Sequence, residues 1–263
     1  MHDNVIEINN LTLPYCYNNF CIGFPKNKVS VISGPNNCGK TTLIRTLDGQ
    51  IKTKNQVFFG TVGLERHQIT DIASQIKTII RDELHFTKDT VMEEIYFTLN
   101  NCNYKNKKTI YKELIKIYKL TKYQNSNPNT LNQCLKIKLS ILIALIYEPK
   151  VLLLDDILQG LKLTEKEEII SHVNTYRKKK DISIIMTVSN LNDALFGDYL
   201  YIIKDSEIIL EGEPSSILQN DNIINKIGLE LPFMIDLSVK LRDYDLIKDI
   251  ETDMNRLVNT LWK

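Results

Sequence analysis

The chain has 263 residues, 43% of them apolar and 25% charged, which suits one large domain, or one domain with a smaller appendage, around a real hydrophobic core. Its 33 basic and 32 acidic residues leave a formal net charge of +1, so no whole-protein field draws in nucleic acid and no such partner is expected. The five cysteines, at 16, 21, 38, 102 and 134, are odd in number and hold no Cys-x-x-Cys pair, which signals neither a disulfide framework nor a zinc site and fits a reducing cytosol.

Met1 to Asn10 lacks the basic start and apolar run of a signal peptide. Val5 to Ile8 alternates and is short, like an edge strand. Lys28 to Ser33 reads as a strand entering a Gly-Pro turn, Lys40 to Leu47 as a helix, and Gln56 to Phe59 as a strand ended by Gly60. Thr90 to Asn100 has helical spacing, with Val91, Ile95 and Leu99 on one face, and Lys107 to Leu120 continues in that style. The loop Asn125 to Asn129 separates these from a long apolar helix, Leu131 to Tyr147, which Glu148-Pro149 stops. The apolar part of that helix is too short to cross a bilayer, so membrane contact is expected only through a partner. Val151 to Leu154 is a continuous apolar run ending in Asp155-Asp156, as in a parallel strand covered on both faces. Glu165 to Lys179 is a polar-faced helix, and the run Lys178 to Lys180 reads first as its solvated face. Ile182 to Val188 is the next buried strand, and Tyr199 to Ile203 with Glu207 to Leu210 form a closing pair. Alternation of strand and helix predicts an α/β fold with a mainly parallel sheet, interrupted by a helical subdomain over about 82–148.

Gly34-Pro35-Asn36-Asn37-Cys38-Gly39-Lys40-Thr41 matches G-x-x-x-x-G-K-[ST], with an apolar strand before it and a helix after it. Such a loop binds a nucleoside triphosphate for physical reasons. Its glycines let the backbone bend and turn N–H groups inward, and the helix adds the positive end of its dipole. Lys40 supplies a cation for the β- and γ-phosphates, and Thr41 a hydroxyl for Mg²⁺. Asp155, at a strand end, is placed to be the second Mg²⁺-side group, or else to cap a helix.

The loop, extended to Thr42, resembles the Gly-Pro-Asn-x-x-Gly-Lys-[Ser/Thr]-Thr of the ABC ATPase family, and the resemblance covers nearly the whole chain. It implies a P-loop NTPase of ABC ATPase type, with an N-terminal antiparallel β part, a helical subdomain and ATP with Mg²⁺ as cofactors. Tyr15 lies where the family places an aromatic that stacks on adenine, with Tyr17 near enough to serve instead. Leu131 to Lys138 stands at the signature segment, Pro149 to Asp156 resembles the Walker B strand, and Ile157 to Lys162 follows as the D-loop. Thr90 to Ile95 and the tail from Ile227 to Leu261 resemble the energy-coupling factor transporter ATPases. That likeness implies an ABC domain over 1–225 and a C-terminal appendage over 226–263. It further implies a second ABC ATPase subunit, a transmembrane coupling subunit, and a place at the cytoplasmic face of the membrane of a vitamin or metal-ion importer.

The departures from the family are as informative. Gln133 and Cys134 replace the two signature glycines beside Asn132, and their Cβ atoms restrict close backbone approach. Asp156 stands where the family has the catalytic Glu, about one C–C bond short. Val188 aligns with the switch histidine, Arg81 is the nearest residue to the missing Q-loop glutamine, and Lys162 takes the place of the D-loop Asp. Phosphate binding is thus expected to be intact and hydrolysis impaired. The histidines at 2, 67, 85 and 172 have no metal-ligand spacing. His85, just after the Q-loop position, and Phe86 beside it either face a membrane subunit or belong to the local surface and core.

Overall fold

A computed structural model describes residues 3–67, 69–251 and 254–262. Two sheets and a set of helices build it. Strands β1 (Asn4–Leu13), β2 (Tyr17–Pro25), β4 (Val57–Phe59) and β5 (Val62–Gly63) form an antiparallel sheet in the order β2-β1-β4-β5. Strands β3 (Val29–Ser33), β6 (Ile76–Ile80), β7 (Val151–Asp155), β8 (Ser183–Thr187), β9 (Tyr199–Lys204) and β10 (Glu207–Gly212) form the central sheet, in the order β10-β9-β3-β8-β7-β6. Every pairing in the central sheet is parallel except the closing β9–β10 hairpin.

The helices are α1 (Lys40–Leu47), α2 (Ile69–Gln75), α3 (Val91–Asn101), α4 (Lys107–Ile117), α5 (Gln133–Ile146), α6 (Leu163–Lys180) and α7 (Leu191–Ala194). Beyond β10 follow α8 (Pro214–Ile217), α9 (Asp221–Lys226), α10 (Phe233–Asp243) and α11 (Met254–Leu261). None of the described helices is long and apolar enough to cross a membrane.

The central sheet is covered on both faces, which is why its strands are apolar runs without alternation. Successive side chains of β7 still part company. Val151 and Leu153 join one core with Ile32, Ile185, the α1 residues Leu43, Ile44 and Leu47, and the inner face of the antiparallel sheet. Leu152 and Leu154 join the other core, with Ile184, Met186 and the apolar faces of α3, α5 and α6. Leu229, Ile235 and Val239 dock the C-terminal segment on this second core.

Most expected elements agree with these within a few residues; one is corrected, and two stretches lie outside the expectations from sequence. The strand expected at Val5 to Ile8 is no edge: it runs from Asn4 to Leu13 between β2 and β4. Strand β2 buries Phe20, Ile22 and Phe24 in alternation, but the adjacent exposed Asn18 and Asn19 break the phase after Tyr17 and its pairing with β1 carries register shifts. The segment 69–80, α2 and β6, showed no signal strong enough to mark it.

Local signals explain the start of α3. Thr90 Oγ1 accepts from the Glu93 N–H at 3.1 Å while Glu93 Oε2 accepts from the Thr90 N–H at 3.2 Å, a reciprocal cap. Buried Glu94 holds the preceding turn by accepting from the N–H groups of Thr87 and Lys88, at 2.9 and 2.8 Å. Thr90→Ala is expected to cost about 1 kcal/mol of stability, read as a lowered urea midpoint with unchanged slope.

Candidate functional site

The site is assembled where the strands of the central sheet end. β3 runs out at Ser33 and passes directly into the phosphate loop, and α1 begins at Lys40. Two positions tolerate no side chain. A Cβ on Gly34 would stand 2.2 Å from the Ile203 carbonyl oxygen, and one on Gly39, at φ +99°, would stand 2.5 Å from Cys16 Sγ. Gly39 is also the N-cap of α1, and the first turn has neither a capping side chain nor an acid, which leaves its N–H groups for an anion.

Lys40 folds back across its own loop. Its Nζ donates to the carbonyls of Gly34 and Pro35, at 2.8 and 3.1 Å. Tyr17 is buried beneath and donates from its hydroxyl to the Gly39 carbonyl at 3.1 Å. Burial pushes the Tyr17 hydroxyl up, keeping it a protonated donor. Burial likewise pushes the Cys38 thiol up, against the opposing pull of Lys40, whose Nζ lies 3.9 Å from Sγ. Of the two tyrosines, then, Tyr17 supports the loop. Tyr15, at φ +63° in the β1–β2 turn, is fully exposed and borders the cleft. That cleft, about 870 Å³, is lined also by Asn36, Asn37, Gly39, Lys40, Thr41, Thr42, Asp156 and Ser189. Gly34, Pro35 and Asn36 border an adjoining recess whose far wall is Gly228 to Leu231.

Parallel register sets the carboxylates. β7 and β8 pair Asp155 with Thr187, so two chain segments far apart in sequence meet at the C-terminal ends of adjacent inner strands. Asp155 is buried and caps no helix. Its Oδ2 accepts from Thr41 Oγ1 at 2.7 Å and its Oδ1 from Thr187 Oγ1 at 2.5 Å. A hydroxyl and a carboxylate in contact are hard oxygen donors, and no cluster of three or more His, Cys, Asp or Glu able to hold a metal occurs among the described residues. Such a sparse oxygen pair suits Mg²⁺, which keeps several waters and takes further oxygens from a phosphate.

Asp156 follows in the left-handed region at φ +51°, which Asp tolerates better than most residues. Its N–H donates to Thr187 Oγ1 at 3.0 Å. Its carboxylate receives two bonds from one residue, the Ser189 N–H at 3.1 Å and the Ser189 hydroxyl at 2.6 Å. Thr187 and Ser189 were not read from the sequence as site residues. The available signal was position: they close the buried strand next to the one that ends in Asp155. Val188, aligned with the switch histidine, is 1% exposed and packs in the core. The residue that reaches the cleft is therefore Ser189.

The other aligned positions serve local structure. Arg81 is not among the cleft-lining residues. It pairs with Asp82 at 2.9 Å, and its Nη2 lies 3.7 Å from where a Cβ on Gly160 would be. Gln133 Nε2 donates to the Arg81 carbonyl at 3.1 Å, Cys134 is buried, and Asn132 caps α5 by accepting from the Leu135 N–H at 2.9 Å. Lys162 is the N-cap of α6, and its N–H donates to Glu165 at 2.9 Å. Lys178 to Lys180 are exposed. His85 is exposed and lines a separate recess between β6 and α5, whereas Phe86 is buried with its backbone clamped by the Asn129 amide. His67 and His172 lie against the rings of Phe59 and Tyr118, and His2 lies outside the described residues.

Comparison with known proteins agrees with this geometry. A family model described as ABC transporter matches residues 17–159. The chain is 29% identical over 249 residues to the energy-coupling factor transporter ATP-binding protein EcfA1 of Mesomycoplasma hyopneumoniae, covering 93% of this chain and 90% of that one. It is 25% identical over 265 residues to EcfA of Pediococcus pentosaceus, covering 96% and 94%. Among solved structures it superposes on CbiO1 from Clostridium perfringens, part of the ABC transporter complex CbiONQ, with a TM-score of 0.73 at 20% identity over 88% of this chain and 97% of that one. It also superposes on a dimeric ATP-binding cassette bound to ADP and Pi, with a TM-score of 0.67 at 17% identity over 80% and 98%. With the family model spanning more than half of its length and the phosphate loop built as described, the chain belongs to the ABC transporter family of ATP-binding, ATP-hydrolysing proteins.

Proposed function

We propose that this chain is the nucleotide-binding subunit of an importer of the energy-coupling factor type, which binds Mg-ATP and couples its binding and slow hydrolysis to uptake of a vitamin or metal ion. The observation that carries the reading is the 2.7 Å contact between Thr41 and Asp155, which joins the phosphate loop to the metal-side carboxylate. The kinship with energy-coupling factor ATP-binding proteins over most of the chain supports the transport role. In this reading 1–225 is the ATP-binding domain, with 82–148 as its helical subdomain, and 226–263 is an appendage.

Thr41 and Asp155 would hold Mg²⁺, which would supply charge neutralisation for the phosphates. Lys40 leaves the Gly34 and Pro35 carbonyls to meet the β- and γ-phosphates, the backbone from Asn36 to Thr42 cradles the chain of phosphates, and Tyr15 stacks on adenine. Asp156 is the candidate base. The site's gaps suggest a second, better-equipped ABC ATPase subunit in a heterodimer, and the kinship with energy-coupling factor proteins suggests a transmembrane coupling subunit that keeps this chain at the cytoplasmic face of the membrane. Nucleic acid has no part in it.

Hydrolysis is slow in this account because preorganised groups are missing. Val188 is buried, and loss of one polar group at the γ-phosphate costs about 100- to 1,000-fold in rate. The signature that would serve a partner's nucleotide carries Gln133 tethered to Arg81 and Cys134 in the core. These features also favour a second reading, a largely non-catalytic ATP-binding partner that regulates or scaffolds another ATPase subunit. Single-turnover assays on the purified chain with excess protein over Mg-ATP separate the outcomes. The first reading expects tight binding with slow, Lys40-dependent phosphate release; fast release contradicts the impairment, and binding without any release favours the second reading.

A further inference from the structure

Missing histidine and glutamate leave open what orients the reacting water, and the cleft contains one arrangement suited to it. Asp156 and Ser189 are both half-buried cleft-lining residues, beside Lys40 and Thr41. The Ser189 hydroxyl donates to Asp156 Oδ2 at 2.6 Å and its N–H donates to Oδ1 at 3.1 Å, so both carboxylate oxygens are fixed by one residue. The backbone of Asp156 is fixed as well, through its N–H to Thr187 Oγ1 at 3.0 Å. Thr187 in turn donates to Asp155, and Asp155 accepts from Thr41. One chain of hydrogen bonds therefore runs from the phosphate loop to the Asp156 backbone N–H, and Ser189 fixes the carboxylate beyond it. A short acid in the left-handed region has few ways to aim its carboxylate, and a hydroxyl 2.6 Å away removes most of the rest.

Resting on the functional reading above, we propose that Ser189 is the positioning residue for hydrolysis in this chain: its hydroxyl and N–H hold the Asp156 carboxylate toward the phosphate loop and take over the orienting task that the absent histidine performs in the family. In the step concerned, the water oxygen bonds to the γ-phosphorus as the bond to the β–γ bridging oxygen breaks. The electron pair of that bond stays on ADP, and the water proton passes to the Asp156 carboxylate before reaching the phosphate. Ser189 transfers nothing. It fixes the acceptor, and a displacement of about 1 Å in such a group costs on the order of 100-fold in rate.

The test uses the full chain and the variants S189A, S189T, D156A and S189A/D156A, with Mg-ATP as the probe. Single-turnover phosphate release and calorimetric affinity are measured on each. S189A is expected to release phosphate about 10- to 100-fold more slowly with Mg-ATP affinity within about twofold of the unmodified chain. S189T, which keeps the hydroxyl, is expected to restore most of the rate. The double variant is expected to be no slower than D156A, since Ser189 acts only through that carboxylate. A denaturation cycle on the unmodified chain, S189A, D156A and S189A/D156A without nucleotide provides a readout independent of turnover: the midpoint losses of S189A and D156A are expected to be clearly non-additive. Unchanged release in S189A, additive rate losses, or release in the unmodified chain no faster than in D156A overturns the proposal. Absence of Mg-ATP binding by the unmodified chain overturns the functional reading along with it, whereas binding with an S189A rate equal to that of the unmodified chain overturns this inference alone.

Discussion

Gly34→Val is expected to abolish Mg-ATP binding. Gly34 is buried at the exit of β3, and even a Cβ there meets the Ile203 carbonyl oxygen at 2.2 Å and Cys38 Sγ at 2.8 Å. The first contact is backbone of a central strand and cannot swing away. The loop must lift, and the N–H groups that converge on a phosphate lose their common centre. Circular dichroism separates a displaced loop from an unfolded chain. Lys40→Ala tests the same pocket without steric change. Its ammonium bonds only to its own loop, at two carbonyls and the Cys38 sulfur, so its loss is expected to leave the fold intact. It is expected to weaken Mg-ATP about 10- to 100-fold, the scale of a lost charge-assisted hydrogen bond. Measured by calorimetry, an affinity unchanged in Lys40→Ala argues against phosphate binding at this loop.

Asp155→Asn has the second large effect. The amide keeps nearly the shape of the carboxylate, and its oxygen still accepts from one of the two threonine hydroxyls now bound at 2.5 and 2.7 Å. The other hydroxyl then faces an NH₂ group and must turn its own oxygen toward it as the acceptor. The structural cost is about 1 kcal/mol, while the charge that would face Mg²⁺ is gone. The expected result is selective. Nucleotide without metal binds the variant about as it binds the unmodified chain, and the enhancement that Mg²⁺ confers falls about 10- to 100-fold. An enhancement equal in both proteins, followed by calorimetry with and without Mg²⁺, removes Asp155 from the metal's surroundings.

Legibility in the sequence follows the range of the interactions. The phosphate loop was readable because its demands are local: two glycines, a lysine and a hydroxyl at fixed spacing between a strand and a helix. The central strands were readable because burial on both faces makes continuous apolar runs such as Val151 to Leu154. Strand β2 was passed over although Phe20, Ile22 and Phe24 alternate, because the adjacent exposed Asn18 and Asn19 break the phase after Tyr17 and the register with β1 shifts. Thr187 and Ser189 escaped for a different reason. Their meaning lies in the parallel register that sets Thr187 beside Asp155, and no spacing within either strand encodes it. Alignment by position alone also misdirects at Val188, whose backbone is equivalent in sequence but whose side chain points into the core. Exposed Tyr15 and buried Tyr17 differ in solvent exposure, which two aromatics two residues apart do not announce.

Calorimetric titration of the full chain with Mg-ATP, repeated on Lys40→Ala and Asp155→Asn, tests the central claim most directly. The account predicts saturable binding at a single site, weakened without metal and weakened at least tenfold in each variant. Heat of binding that is absent in the unmodified chain, or equal in all three proteins, contradicts it.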